Sequence, residues 1–218
     1  MSLILFGHPF SSYTQKALIA LYADGTKFDY RQLYVEDPDP FLAELKGHWP
    51  FGKFPVLVDD GEPVIETSCI IEHLQAQHRG PNEWIPDGEL GRRVRFLDRF
   101  FDLYVMENMS KIATDVLRPE DGRDAFGVAA AHRNLDIAYD WIEPQIGNAW
   151  AAGERITLAD CAAAPSLFYA DWVHPIGPSR PRLSAYRARL LAHPAVSRCV
   201  EEARPYRPLF PPGAPNRD

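Results

Sequence analysis

The hydrophobic pattern of this chain changes period near residue 80, and that change restricts the fold more than any single motif does. Up to that point, short apolar runs with strand character are interleaved with helix-period segments; from Glu89 onward only helix-period segments remain, separated by Pro and Gly. Between the two halves lie Arg79-Gly80-Pro81-Asn82 and Pro86-Asp87-Gly88, breaker-rich stretches that read as an inter-domain connection. The expected fold class is α/β plus all-α, with an α/β domain over 1–79, a linker over 80–88 and an all-helical domain over 89–218. A chain of 218 residues is long enough to bury a core in such an arrangement.

Taken in order, residues 3–6 predict a strand ended by Gly7-His8-Pro9, and Ser11 or Ser12 can cap a helix running to about Ala23. An alternating strand follows over 28–33. Asp37-Pro38-Asp39-Pro40 opens a short helix over 41–46, and the Trp49-Pro50-Phe51-Gly52 loop leads to a strand over 56–58. Gly61-Glu62-Pro63 reads as a turn, Val64-Ile65 as a short strand, and 67–78 as a helix with Ile70, Ile71 and Leu74 on its apolar face. The Phe54-Pro55 bond, between a loop and an apolar strand, is where a buried cis proline can sit. Helices are expected in the second half over 89–117, 127–146, 158–172, 181–192 and 194–203, before an irregular Pro-rich tail.

Composition narrows the function classes. A formal net charge of -7 opposes phosphate backbones and anionic membranes, so nucleic acid is not an expected partner, and no apolar run is long enough to span a bilayer. The start lacks the basic region and cleavage site of a secretory signal. Cys69, Cys161 and Cys199 are odd in number, widely spaced and form no CxxC pair, which fits a reducing cytoplasm. The seven histidines show no HxxH or HExxH spacing, so no metal is expected.

Several residues admit both a scaffold and a chemical reading. Thr157-Leu158-Ala159-Asp160 has the form of a capping box behind Ile156, and its reading is structural. Ser11-Ser12 caps a helix whatever the function, but a hydroxyl at a helix N-terminus can also donate to a thiolate and lower the thiol pKa. A G-x-S-x-G elbow is absent, so a hydrolase arrangement is not implied. Glu66-Thr67 likewise suits a helix start, yet a carboxylate for an ammonium beside a hydroxyl and free amides for a carboxylate would recognise an amino-acid head group. Lys53 can fix a second carboxylate. Phe96, Phe100, Phe101 and Tyr104, with Phe168, Tyr169 and Trp172, read as core, or as the wall of a cleft between helices.

Taken together, Ser11-Ser12-Tyr13-Thr14-Gln15-Lys16, Phe54-Pro55-Val56-Leu57, Glu66-Thr67-Ser68-Cys69-Ile70 and Ile156-Thr157-Leu158-Ala159-Asp160 resemble, in order and spacing across about 200 residues, a bacterial cytosolic glutathione S-transferase of the serine-type, zeta/phi/theta-like classes. The resemblance implies a thioredoxin-like N-terminal domain, a helical-bundle C-terminal domain, glutathione as co-substrate and a homodimer. It implies Ser11, five residues before Lys16, as the thiol-activating hydroxyl, with Ser12 as the alternative. Phe54 beside cis Pro55 would bind the cysteinyl backbone, Glu66 and Thr67 the γ-glutamyl group, and Lys53 the glycyl carboxylate. Phe10, Tyr104, Asn108 and Trp172 are the candidates for a hydrophobic electrophile pocket. Tyr13 stands where the zeta-class isomerases carry Cys, which argues against maleylacetoacetate isomerisation; the lack of Cys at 11 and 12 argues against thiol-transferase chemistry. Conjugation is the expected activity. A non-catalytic glutathione-binding or partner protein of the same fold, or glutathione-dependent isomerase or dehalogenase chemistry, is the alternative.

Overall fold

The computed structural model describes residues 2–34 and 39–218. The Asp37-Pro38 pair expected to open the second helix lies outside them. Strand β1 (Leu3–Gly7) is central: it pairs parallel with β2 (Asp29–Gln32) and antiparallel with β3 (Val56–Asp59), and β3 pairs antiparallel with β4 (Glu62–Ile65), giving the order β2-β1-β3-β4. Helices α1 (Ser12–Asp24), α2 (Leu42–His48) and α3 (Thr67–Gln77) cover the sheet. The two-residue period of the strands divides their side chains between two cores. Leu3, Leu5 and Leu57 join the residues of α1 and α3, whereas Phe6, Val56 and Val58 join Leu45 of α2 on the other face.

The β3–β4 turn is tighter than the Gly61-Glu62-Pro63 expectation. Asp60 (φ 47°) and Gly61 (φ 92°) make a two-residue hairpin, so Glu62 and Pro63 already belong to β4. Pro63 is tolerated because β4 is an edge strand. Asp39 starts α2 by accepting the Phe41 and Leu42 amides at 2.8 and 3.1 Å.

The single helix expected over 89–117 is interrupted. It runs as α4 (Gly88–Phe100), a π-helical segment (Phe101–Met106) and α5 (Glu107–Asp115). Four further helices follow: α6 (Ala125–Ile142), α7 (Leu158–Val173), α8 (Pro181–Ala192) and α9 (Pro194–Ala203). Every residue of α7 from Leu158 to Trp172 is buried, and one apolar cluster runs from Leu5 and Leu18 through Leu97 and Phe101 to Leu167 and Leu190. The breaker-rich connection is stitched down. Trp84 is fully buried and donates from Nε1 to Asp24 at 2.8 Å, while Ile85 and Gln75 exchange two hydrogen bonds. The tail is ordered too: a 3₁₀ segment (Arg204–Leu209) delivers Phe210 into the core.

Candidate active site

The end of β1 and the start of α1 approach closely at Gly7, where an added Cβ would lie 2.5 Å from Thr14 Cγ2. Only glycine permits that approach. Ser11 is the N-cap of α1, and its Oγ accepts the Thr14 amide at 3.3 Å. Accepting that bond leaves the hydroxyl proton free for another partner, so capping and thiol activation are compatible.

At α3 the capping reading fails for Glu66. This residue occupies the N-cap, but its side chain makes no capping bond, and its backbone is at φ 70°, ψ 124°. Such a conformation in a non-glycine residue costs roughly 1–3 kcal/mol and is concentrated at functional sites. Thr67 is buried, with Oγ1 3.5 Å from the Tyr13 carbonyl oxygen. The Phe54–Pro55 bond is cis, as the sequence allowed, and Pro55 is buried. A cavity of about 300 Å³ brings Lys53, Phe54, Pro55, Glu66 and Thr67 together. Tyr13, Arg99, Asp102 and Glu107 share its wall.

Behind the cavity, Lys16 is 1% exposed and its Nζ lies 2.6 Å from both Asp98 Oδ1 and Asp102 Oδ2, and 3.0 Å from Ser68 Oγ, whose hydroxyl donates to Asp98 Oδ2 at 2.8 Å. One ammonium thus serves two carboxylates, leaving net negative charge beside the start of α3. Burial pushes the Asp102 carboxyl above its ordinary range despite the pull of Lys16. Burial, with Asp102, Glu107 and Glu66 nearby, pushes the Tyr13 phenol up to about 12, so Tyr13 is a neutral donor.

A strained, uncapped helix start beside a lysine suits a zwitterionic peptide with two carboxylates. The family model described as "Glutathione S-transferase, N-terminal domain" matches residues 5–82, and "Glutathione S-transferase, C-terminal domain" matches 105–194. The chain belongs to the glutathione S-transferase family. Glutathione S-transferase F6 of Arabidopsis thaliana is 23% identical over 210 residues, covering 90% of this chain and 98% of that protein. Glutathione S-transferase U10 of the same plant is 24% identical over 145 residues, 66% of this chain and 60% of that protein's length. A crystal structure of a glutathione S-transferase from Methylobacterium radiotolerans, in complex with glutathione sulfonate, superposes with a TM-score of 0.77 at 27% identity, over 92% of this chain and 95% of that one.

Within this glutathione S-transferase fold, the remaining site candidates separate. Ser11 and Ser12 are partly exposed at the start of α1 but are not part of the wall of the 300 Å³ cavity; their neighbour Tyr13 is. The four electrophile-pocket candidates do not meet. Phe10 and Trp172 pack against Tyr169 and Phe210, with the Tyr169 hydroxyl donating to the Phe10 carbonyl at 2.9 Å. Tyr104 and Asn108 line a different cleft of about 510 Å³, between the π segment and α6, with Phe96, Phe100, Ile137 and Trp141. The π segment faces both ways: Asp102 and Leu103 line the first cavity, Tyr104 the second. Sequence reasoning did not single out Arg99, Asp102 or Glu107. The Asp98 and Asp102 pair, four residues apart, is visible as an acidic helix face, but nothing in the sequence joins it to Lys16, and Arg99 and Glu107 carry no distinguishing signal.

Proposed function

We propose that this chain is a glutathione S-transferase of the serine type that conjugates the glutathione thiolate to hydrophobic electrophiles. The observation that carries the reading is the single cavity in which Lys53, Phe54, cis Pro55, Glu66 and Thr67 converge on an uncapped helix start. The free amides of α3 and the Thr67 hydroxyl take the γ-glutamyl carboxylate, Glu66 and Asp102 its ammonium, the Phe54 backbone the cysteinyl unit and Lys53 the glycyl carboxylate. The sulfur then lies toward Ser11, whose free O–H donates to the thiolate. The thiol proton leaves to solvent; the sulfur lone pair forms the C–S bond, and the electron pair displaced from the electrophilic carbon departs with its leaving group. A hydrogen bond to a charged acceptor contributes about 1.5–3 kcal/mol. Ser11→Ala should therefore raise the pKa of bound glutathione by about 1–2 units and slow conjugation roughly tenfold to a hundredfold, with Ser12→Ala near the parent. Thiolate absorbance against pH checks this. Equal loss in both variants, or loss in Tyr13→Phe with Ser11→Ala unchanged, assigns the role elsewhere.

The functional unit in this reading is a homodimer. Phe51 is 75% exposed and, among the described residues, makes its one ring contact with Trp49, tilted at a centroid distance of 4.8 Å, and so does not pack inside its own core. The aromatic cleft between the π segment and α6 is open, with Tyr104 56% and Ile137 66% exposed. A two-fold pair would seat each Phe51 in the other copy's cleft. Sedimentation should show a dimer that Phe51→Ala weakens at least tenfold; an unchanged association constant rejects the arrangement.

A further inference from the structure

At the far end of α3, three side chains from two elements point at one spot. His73 Nε2 lies 2.8 Å and His78 Nε2 2.7 Å from the same oxygen, Asp59 Oδ2, and the three atoms lie within 4.8 Å of one another. Asp59 ends β3, His73 lies in the last turns of α3, and His78 is its C-cap. Their side chains are 16%, 26% and 16% exposed, held by the fold yet open to solvent on one side.

We propose that Asp59, His73 and His78 bind one divalent transition cation of the zinc class, with water completing its coordination. Two imidazole nitrogens and a carboxylate oxygen are the donor set such ions accept, whereas calcium and magnesium take oxygen ligands. Bonds of about 2.0–2.1 Å in a tetrahedral arrangement place ligand atoms roughly 3.3 Å apart. The two hydrogen-bonded pairs, at 2.7 and 2.8 Å, need to spread by only about half an ångström as the ion replaces their shared protons. The other histidine pair lacks this convergence. His132 Nδ1 is 2.9 Å from His174 Nδ1, but Asp136 meets His174 on its opposite nitrogen, Nε2, so the three cannot share one ion.

The site ties the end of β3 to the end of α3. With a helical rise of about 1.5 Å per residue, His78 lies roughly 16 Å from Thr67, so the ion stabilises the sheet-to-helix junction without touching the glutathione cavity. The proposal is independent of the transferase reading. Its test is titration of the metal-stripped full chain, carrying Cys69→Ser to remove the exposed thiol, with Co²⁺ in glutathione-free buffer, followed by visible absorption and displacement with Zn²⁺. One equivalent should bind, and Zn²⁺ should raise Tm. His73→Ala, His78→Ala and Asp59→Asn should each weaken binding at least a hundredfold and abolish the Tm shift, while His132→Ala changes neither. Conservative His73→Gln covers the case in which an alanine variant fails to fold. Absence of stoichiometric Co²⁺ binding, binding that survives the His73 and His78 substitutions, or loss in His132→Ala would overturn the assignment.

Discussion

Two helices of this molecule begin with the same kinds of residue and are built for opposite purposes. α7 starts with Thr157 and has Asp160 in its first turn; α3 starts with Glu66 and Thr67. In α7 the capping box is complete, and the fully buried Asp160 carboxylate accepts from the Ala151 and Thr157 amides and from the Thr157 and Tyr186 hydroxyls at 2.6–2.9 Å. In α3 the N-cap carboxylate caps nothing, the backbone is strained at φ 70°, and the start opens on a cavity. A satisfied helix start is scaffold; the start of α3, uncapped and held open against its own strain, is the one we propose binds ligand. Residue type alone does not separate them; the accounting of donors does.

The comparison breaks most readily at Asp160. Removing it orphans two amides and two hydroxyls in a water-free interior, at about 1–3 kcal/mol each when unrelieved. Asp160→Ala should lower stability by about 4 kcal/mol by denaturant titration, while folded protein at low temperature keeps its glutathione affinity. A comparable loss of affinity with little change in stability would make Asp160 part of the site after all.

Asp102 tests the charge behind the open helix start. Burial raises its pKa above the ordinary 3.8. A carboxyl with a raised folded pKa contributes stability fully present below its unfolded pKa and lost as pH rises through the folded value. Asp102→Asn cannot undergo that loss, so stability of the variant relative to the parent should climb as pH rises from below 3.8 and level off above the raised value. Glutathione affinity should move the other way: the parent binds better once Asp102 is ionised, and the variant should lose about tenfold with a flatter pH dependence. A difference curve flat across this range would show that Asp102 titrates normally.

What the sequence disclosed divides along the same line. The period change near residue 80, the helix positions and the capping box followed from local pattern, since each depends on neighbours a few residues away. The Phe54–Pro55 bond stood out as a place for a cis proline, and the gathering of Lys53, Glu66 and Thr67 was implied by the family resemblance; the β3–β4 hairpin that they flank is what brings them together. The Lys16–Asp98–Asp102–Ser68 network and the Asp59–His73–His78 cluster span four and two elements respectively, and no spacing rule joins residues 16, 68 and 98. The electrophile-pocket set dispersed for a related reason. A straight helix over 89–117 gives no ground for dividing its residues between two cavities, whereas the π segment at Phe101–Met106 sets Asp102 and Leu103 on one side and Tyr104 on the other.

The smallest expected effect is the most informative about α3. Glu66 holds a conformation that glycine adopts freely, so Glu66→Gly relieves strain of roughly 1–3 kcal/mol, offset in part by the greater backbone entropy of glycine in the unfolded chain, about 0.5–1 kcal/mol. The net expectation is a gain in stability of about 1 kcal/mol. The same substitution removes the carboxylate assigned to the γ-glutamyl ammonium, so glutathione affinity should fall while Tm rises. Glu66→Gln separates the two contributions, because it keeps the strain and deletes only the charge: affinity should fall as far, with Tm unchanged. Were Glu66→Gly to lower both stability and affinity, the positive φ would be an incidental feature of a well-packed turn, and α3 would differ from α7 only in exposure. Opposite signs would show that the chain tolerates a less stable helix start in order to keep its first amides and the Glu66 carboxylate facing the ligand.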